Sequence, residues 1–389
     1  MAAGWDDTVT LSEPEEPPQG DPVTRTKKVF LALGVVLVAG IGVLAVVVSH
    51  DSPCPAAPPA AAGTAMQAVV YRCYGSPQVM NLEQIAKPTP ADDRVLVRVH
   101  AASVNPLDWH YVEGKPYIMR GMAGFGAPDD IRLGVDFAGT VEAVGRNVTR
   151  FKPGDEVYGG ADGSFAEYVT PRAAGSMALK PANMSFAQAA TVPIAAVTAL
   201  QALRDQGHLQ RGQKVLINGA SGGVGTFAVQ IAKDMGAEVT GVCSGRNTAL
   251  VHSLGADHVI DYTRTDFTTL PVHYDLIIDT VGTHSISDYR RVLTPGGALV
   301  IVGGPSDGAW LGPMTGALKA TAIAPFVHEK LVFFVANLNA ADLDMLRGMM
   351  EAGKLTPVID RHYPLAQARE ALSYLRQGHA RGKVVIDVE

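Results

Sequence analysis

Between Val29 and Val48 the chain runs through twenty consecutive uncharged residues, mostly Val, Leu, Ala, Ile and Gly, with no polar face. As a helix rising ~1.5 Å per residue this run is about 30 Å long, the thickness of a bilayer core. A buried core helix would be shorter and carry an amphipathic edge. The apolar core of a cleaved signal peptide usually spans about 7–15 residues. Among these three readings the pattern favours an uncleaved single-pass transmembrane helix over residues 29–49. The sequence "HDSPCP" around Cys54 does not resemble a lipoprotein cleavage box.

Further along, the pattern changes twice. From residue 66 to about 189, short apolar–polar alternations such as "RVLVRVHAASV", "GVDFAGTVEAVG" and "GSFAEYVT" are broken by Gly and Pro. This predicts a curled β-domain. From about 190, apolar runs hydrophobic on both faces ("KVLING", "EVTGVC", "YDLIIDTVG", "ALVIVGG") alternate with helical segments such as "GVGTFAVQIAKDM". That texture predicts an α/β unit with a parallel sheet covered by helices. A last helix ("ALSYLRQG") and strand ("KVVIDVE") are expected to return to the first unit. The expected division is 66–189 with 326–389 for one domain and 190–325 for the other.

The flanks of the apolar run differ from the rest. Residues 1–28 are acidic and proline-rich ("LSEPEEPPQGDP") and are expected to be disordered. Residues 50–65 ("SPCPAAPPAAAG") read as an extended, semi-rigid Pro/Ala linker. The 389 residues suffice for two or three domains. The net charge of −6 and the lack of a basic stripe with interleaved aromatics give no reason to expect a nucleic-acid partner. Cys54, Cys73 and Cys243 form no CxxC pair, so neither a disulfide framework nor a cysteine-rich zinc site is expected.

The most informative motif is "KVLINGASGGVG", residues 214–225. A buried strand runs into Gly219, Gly222 and Gly225 and then directly into an amphipathic helix. Glycine permits the tight turn and the approach of a pyrophosphate, and the helix N-terminus supplies free N–H groups. The end of the next strand discriminates between dinucleotides. An NAD site usually carries an acid there for the ribose 2′-hydroxyl, whereas a 2′-phosphate needs positive charge. Here "VCSGRN" offers Ser244 and Arg246 and no acid, which favours NADPH.

With these motifs in order, the chain resembles the medium-chain dehydrogenase/reductase superfamily. Within it the likeness is to the zinc-independent quinone oxidoreductase branch that includes relatives of the reticulon-interacting mitochondrial reductase. The resemblance is carried by "VRVHAASVNPLDWH", "LGVDFAGTVEAVG", "FKPGDEVYG", "INGASGGVGTFAVQIAK", "LGADHVIDY", "DTVG", "TPGGALVIVGG" and "GHARGKVVIDV". It spans Met66 to the C-terminus and leaves the first 65 residues outside. It implies a Rossmann doubly wound sheet inserted in a split, β-barrel-like (GroES-like) catalytic domain. It also implies cofactor contacts at Ser221, Gly222, Gly223 and Val224 (pyrophosphate), Ser244 and Arg246 (2′-phosphate), and Tyr262 (adenosine side). Gly303 would lie on the nicotinamide side, with His379 and Arg381 as closing contacts. A packed aromatic and a surface imidazole are equally open readings of Tyr262 and His379.

Zinc-dependent relatives place Cys where this chain has Asn105 and His where it has Val135. Asn is a poor zinc ligand and Val none, and no Cys lies between Gly154 and Ala190, so no metal is expected. Hydride transfer to a quinone or enone remains open to such a site, because the charge moves to an oxygen that donors can stabilise. Candidate donors are Asn105, His110 and Tyr111, although a Tyr often stands at the position of His110 in the quinone-reductase relatives. Asp108 reads as a turn-capping carboxylate, and "RGMAGFGAPDD", 120–130, as either a cleft lid or a surface loop. Two other functions stay open: an NADPH-binding sensor or scaffold without turnover, and an enoyl-thioester reductase. The resemblance also makes a homodimer an expectation. Finally, Arg25, Lys27 and Lys28 precede the span and no Lys or Arg follows before Arg72. The positive-inside rule therefore puts the enzyme on the non-cytoplasmic face, away from the expected NADPH pool.

Overall fold

The computed structural model describes residue 1 and residues 22–57, 63–304, 308–312 and 314–389. The chain divides into two units, Met1–Ser49 and His50–Glu389. The first holds a helix, Pro22–Ser49, whose segment Phe30–Ser49 is long and apolar enough to cross a membrane and has none of its surface buried. Proline at the first helical position fits a helix start, since its missing N–H would have no partner there. The helix thus begins within the expected tail and takes in Arg25, Lys27 and Lys28. Residues 2–21, the rest of that tail, lie outside the described residues.

In the second unit a six-stranded parallel sheet runs in the order His258–Asp261, Glu238–Cys243, Lys214–Asn218, Tyr274–Asp279, Leu293–Ile301, Lys330–Phe333. Leu216, Ile217, Ile277, Ile278, Leu299 and Val300 are completely buried, as strands with helices on both faces require. Strand order reverses between Lys214–Asn218 and Tyr274–Asp279, which places the ligand crevice at their C-terminal ends. The sheet continues past the expected boundary at 325: Lys330–Phe333 pairs with Ala298–Ile301 and belongs to this domain. Its short, half-buried run lacks the Gly-punctuated context that marked the other strands.

The second sheet joins Ile359–Pro364, Lys383–Asp387, Val95–Val104, Asp136–Val144, Glu156–Gly160 and Met177–Leu179. The C-terminal strand returns as expected, antiparallel to Val95–Val104, with Val384 opposite Val104. Ala65–Tyr71 and Met80–Ala86 form a separate hairpin. The two sheets are tied where the site forms. Gly382 N donates to Ser221 O at 2.9 Å, and Ile194 N donates to Asp136 Oδ1 at 3.0 Å.

Two expectations change in residues 50–57. Cys54 and Cys73 form a disulfide across 19 residues. Nothing in the spacing of the cysteines signals it, because the pair joins the linker to the end of the first strand. The start of the linker is also held by Arg120, which donates to His50 O at 2.9 Å and to Asp51 Oδ1 at 2.6 Å. Residues 50–54 are therefore docked on the catalytic domain. They do not form a free tether.

Candidate active site

The cofactor loop follows from its glycines. Gly219 adopts φ +86, a left-handed conformation that a side chain would strain. A Cβ on Gly225 would meet backbone, with Ala220 Cα at 2.7 Å, so the helix Gly223–Asp234 can start this close to the strand only with glycine there. No side chain caps that helix at Gly222. Gly222 N donates to Gly219 O at 3.0 Å, and the helix N-terminus beside half-buried Ser221, Gly223 and Val224 makes a cradle that suits a pyrophosphate. A nicotinamide dinucleotide fits the residues present.

At the adenosine end the structure gathers Ser221, Ser244, Arg246 and His379. Asn247, not singled out in the sequence, organises them. It is buried, and its Nδ2 donates to Ser221 Oγ at 3.0 Å and to Ser244 Oγ at 3.2 Å. Its Oδ1 has no partner among the described residues. Arg246 donates from Nη2 to His379 O at 3.0 Å, so the segment 379–382 closes this side. Tyr262 is 58% exposed, held by its backbone N–H to Cys243 O at 3.1 Å. Asp261, one residue earlier, is the acid nearest this turn. Its carboxylate accepts from Thr263 N and Oγ1, and these bonds hold its pKa below the usual range. Gly303 lies over the end of the strand Tyr274–Asp279, its N–H on Asp279 O at 3.3 Å. Arg381 is exposed and pairs with Asp360 at 3.7 Å.

Asn105 does not stand open to an acceptor. It is 2% exposed and both ends of its amide are engaged. Nδ2 donates to Asp136 Oδ2 at 2.8 Å, and Oδ1 accepts from Lys383 Nζ at 2.5 Å. Lys383 also reaches Asp136 Oδ2 at 3.4 Å and Val104 O at 3.2 Å, and Ser103 Oγ donates to Asp136 Oδ2 at 2.9 Å. A buried Lys–Asn–Asp cluster thus sits where relatives with zinc place their first ligand. Its lysine belongs to the strand that touches the cofactor loop. Lys383 and Asp136 were legible only as "GKVV" and "GVDF", without a spacing that joins them.

Asp108 caps the helix Pro106–Glu113, as expected, by accepting from Asn105 N at 2.7 Å. Its Oδ1 is buried without a partner among the described residues, and burial pushes its pKa up to about 7. The folded carboxyl therefore keeps its proton over a range in which the unfolded one, at its ordinary 3.8, has lost it. This contribution to stability is greatest at the acidic end of that window and declines, by at most about 1.4 kcal/mol per pH unit, as pH rises towards 7. Asp108→Asn keeps the acceptor for Asn105 N and removes the ionisation. Thermal melts of the variant should show that decline flattened; an unchanged slope would contradict the assignment.

The same helix separates the other two candidates. His110 turns away to a groove with Trp109, Glu113, Lys115, Gly308, Ala309 and Arg376. Its Nδ1 faces Lys115 O at 2.8 Å, and burial lowers its pKa. A neutral ring with the proton on Nδ1 leaves Nε2 only as an acceptor, which argues against His110 as proton donor. Tyr111 instead lines a pocket with Tyr71, Met122, Arg132, Gly134 and Val135. Burial raises the pKa of both tyrosines, so both phenols stay protonated at neutral pH. Val135, the position of a zinc-ligating His in other relatives, forms part of this wall. Among the described residues no group of three or more His, Cys, Asp or Glu could hold a metal ion. Tyr71 was missed because it sits in the first strand, forty residues before the motif that supplies Tyr111.

A Rossmann sheet, a GroES-like catalytic domain and a glycine cradle between them define a nicotinamide-dependent dehydrogenase or reductase. The chain matches the Alcohol dehydrogenase GroES-like domain over residues 91–182 and the Zinc-binding dehydrogenase family over 254–386. It is 34% identical over 365 residues to the mouse NAD(P)H oxidoreductase RTN4IP1, mitochondrial, covering 84% of this chain and 90% of that protein. It is 35% identical to the tomato 2-methylene-furan-3-one reductase, covering 82% and 79%. A quinone oxidoreductase structure from Coxiella burnetii superposes with a TM-score of 0.73 at 31% identity, over 84% of this chain and all of that one. The chain belongs to the zinc-independent, quinone oxidoreductase-like branch of the medium-chain dehydrogenase/reductase family and is an NAD(P)H-type oxidoreductase.

Proposed function

We propose that this protein is an NADPH-dependent reductase of quinones and enones, anchored to a membrane by the helix Pro22–Ser49. The pocket beside Val135 carries the reading: two protonated phenols, Tyr71 and Tyr111, stand where a metal-dependent relative would polarise its substrate. The bound cofactor supplies a hydride. The chain has to hold an acceptor against it, keep water out, and give hydrogen bonds and a proton to the oxygen that gains charge. Tyr111 and Tyr71 fill that role in this account, while Asn105, fixed by Lys383 and Asp136, positions the helix that carries Tyr111. The relatives' names, a quinone oxidoreductase and a furanone reductase, support this acceptor class.

Arg246 and Ser244 bind the 2′-phosphate, and Ser221 with the 222–224 backbone binds the pyrophosphate. Arg246→Ala should raise KM for NADPH roughly tenfold or more and leave NADH nearly unchanged. Steady-state kinetics with both cofactors check this, and equal losses would refute the assignment. The helix, with its basic residues on the N-terminal side, supports an anchor that places the enzyme on the non-cytoplasmic face. The Cys54–Cys73 disulfide supports the same side, since such bonds persist in oxidising compartments.

A further inference from the structure

The segment Tyr117–Gly126 has a grip on the chain just after the helix that neither the sheets nor the cofactor site require. Arg120 is 1% exposed although it lies on a surface segment. Its guanidinium lies over the rings of Tyr74 and Tyr117, 4.4 and 4.6 Å from their centres. Nε donates to Gly114 O at 2.8 Å, and the remaining nitrogens hold His50 O and Asp51 Oδ1. Ser52 N donates to Gly126 O at 2.8 Å, Tyr74 OH donates to Gly124 O at 2.8 Å, and Cys54 is bonded to Cys73. By chain connectivity alone, the last residue of the apolar helix, Ser49, is one peptide bond from His50.

The outward side of the same segment is apolar. Ile118, Met122 and Phe125 are 56%, 90% and 58% exposed. Exposed Trp310 stacks edge-on against Tyr117, with ring centres 5.0 Å apart, and extends the surface. Met122, with Ala123, also lines the pocket of Tyr71 and Tyr111. One short segment is thus at once the wall of the acceptor pocket, an exposed apolar patch, and the clamp on the residues that leave the helix.

We propose that the patch formed by Ile118, Met122 and Phe125 rests in the lipid headgroup and acyl boundary, so that lipophilic acceptors pass from the bilayer into the pocket. The inference rests on the anchor reading and goes beyond it: a tethered enzyme need not touch the membrane, whereas here an apolar patch of the enzyme itself would enter it. Large apolar side chains at such a boundary are favoured, and the same side chains in water are not.

The test uses the full chain reconstituted in vesicles of phosphatidylcholine and phosphatidylglycerol, some with acyl-brominated phosphatidylcholine. Flotation on a density gradient first reads the anchor by itself. Phe125→Trp should then add an emission component, relative to wild type, that the brominated lipid quenches. In turnover, the Ile118→Ser/Phe125→Ser double variant should reduce a long-tailed, bilayer-resident quinone about tenfold more slowly, while reduction of water-soluble benzoquinone stays the same. A chain that does not float removes the anchor and this proposal with it. A floating chain whose added tryptophan is unquenched, or quenched only through self-association in detergent, overturns the proposal and leaves the anchor standing. The quenching measurement needs no catalysis, so it remains decisive if neither quinone is reduced.

Discussion

Gly225→Ala should weaken nicotinamide-cofactor binding roughly a hundredfold. The added Cβ would collide with Gly219 O and lie 2.7 Å from Ala220 Cα, and this backbone cannot yield as a flexible side chain would. Relief requires the helix Gly223–Asp234 to move away from the strand Lys214–Asn218, which opens the cradle formed by residues 221–224. Overpacking of this kind costs about 1–3 kcal/mol, and the displaced N–H groups add to it, so affinity should fall roughly a hundredfold. Titration of the variant with reduced cofactor, followed by its fluorescence, reads this directly. Gly348→Ala serves as control: nothing lies within 4 Å of its Cβ in the helix Ala340–Glu351, so it should leave binding intact and stabilise the fold slightly. Normal binding by Gly225→Ala would mean that the glycine is not needed for the cradle.

The second large effect is expected from Lys383→Met. The lysine side chain is 4% exposed and its partner Asp136 is completely buried. Removing the cation leaves a buried carboxylate that, among the described residues, has only Ser103, Asn105 and Ile194 N to satisfy it. Breaking one partner of such a pair costs about 3–5 kcal/mol, far more than the pair is worth against an apolar replacement. The variant should melt at a markedly lower temperature, and Asp136→Asn added to it should recover part of the loss. Without that recovery, the lysine would be acting through packing and not through charge. The consequence for chemistry follows from Asn105. Once its Oδ1 loses Lys383, the Asn105 amide keeps only its Nδ2 bonds, chiefly to Asp136, so the start of the helix that carries Tyr111 is held less firmly.

These two sites differ in how far the sequence announced them. The cradle was visible because strand, glycine spacing and helix are contiguous, so local rules sufficed. The same holds for Asp108, which caps its own helix by accepting from Asn105 N three residues back, and for the identities of Asn105 and Val135, which are read directly from the sequence. The lysine cluster was not visible, because it joins Asn105, Asp136 and Lys383 across three strands that only the antiparallel register brings together. Tyr71 and Tyr111 were equally hidden, because one ends a strand of the separate hairpin and the other lies on the helix Pro106–Glu113. His110 and Tyr111 are neighbours in sequence, yet about 100° of helical turn sends one to the pocket and the other to a separate groove. Residues 50–57 gave the most misleading pattern. Proline and alanine suggested an extended, semi-rigid linker, whereas a disulfide and one buried arginine fix its first part to the domain.

In the proposed reaction the pocket of Tyr71 and Tyr111 reduces quinones or enones with hydride from NADPH. The direct measurement is NADPH oxidation by the full chain in detergent, with a panel of quinones, enones and simple alcohols, for wild type and for Tyr71→Phe/Tyr111→Phe. Turnover should occur with quinones or enones, exceed that with NADH, and fall about a hundredfold in the double variant while NADPH binding persists. No turnover with any quinone or enone, or turnover indifferent to both phenols, would contradict it.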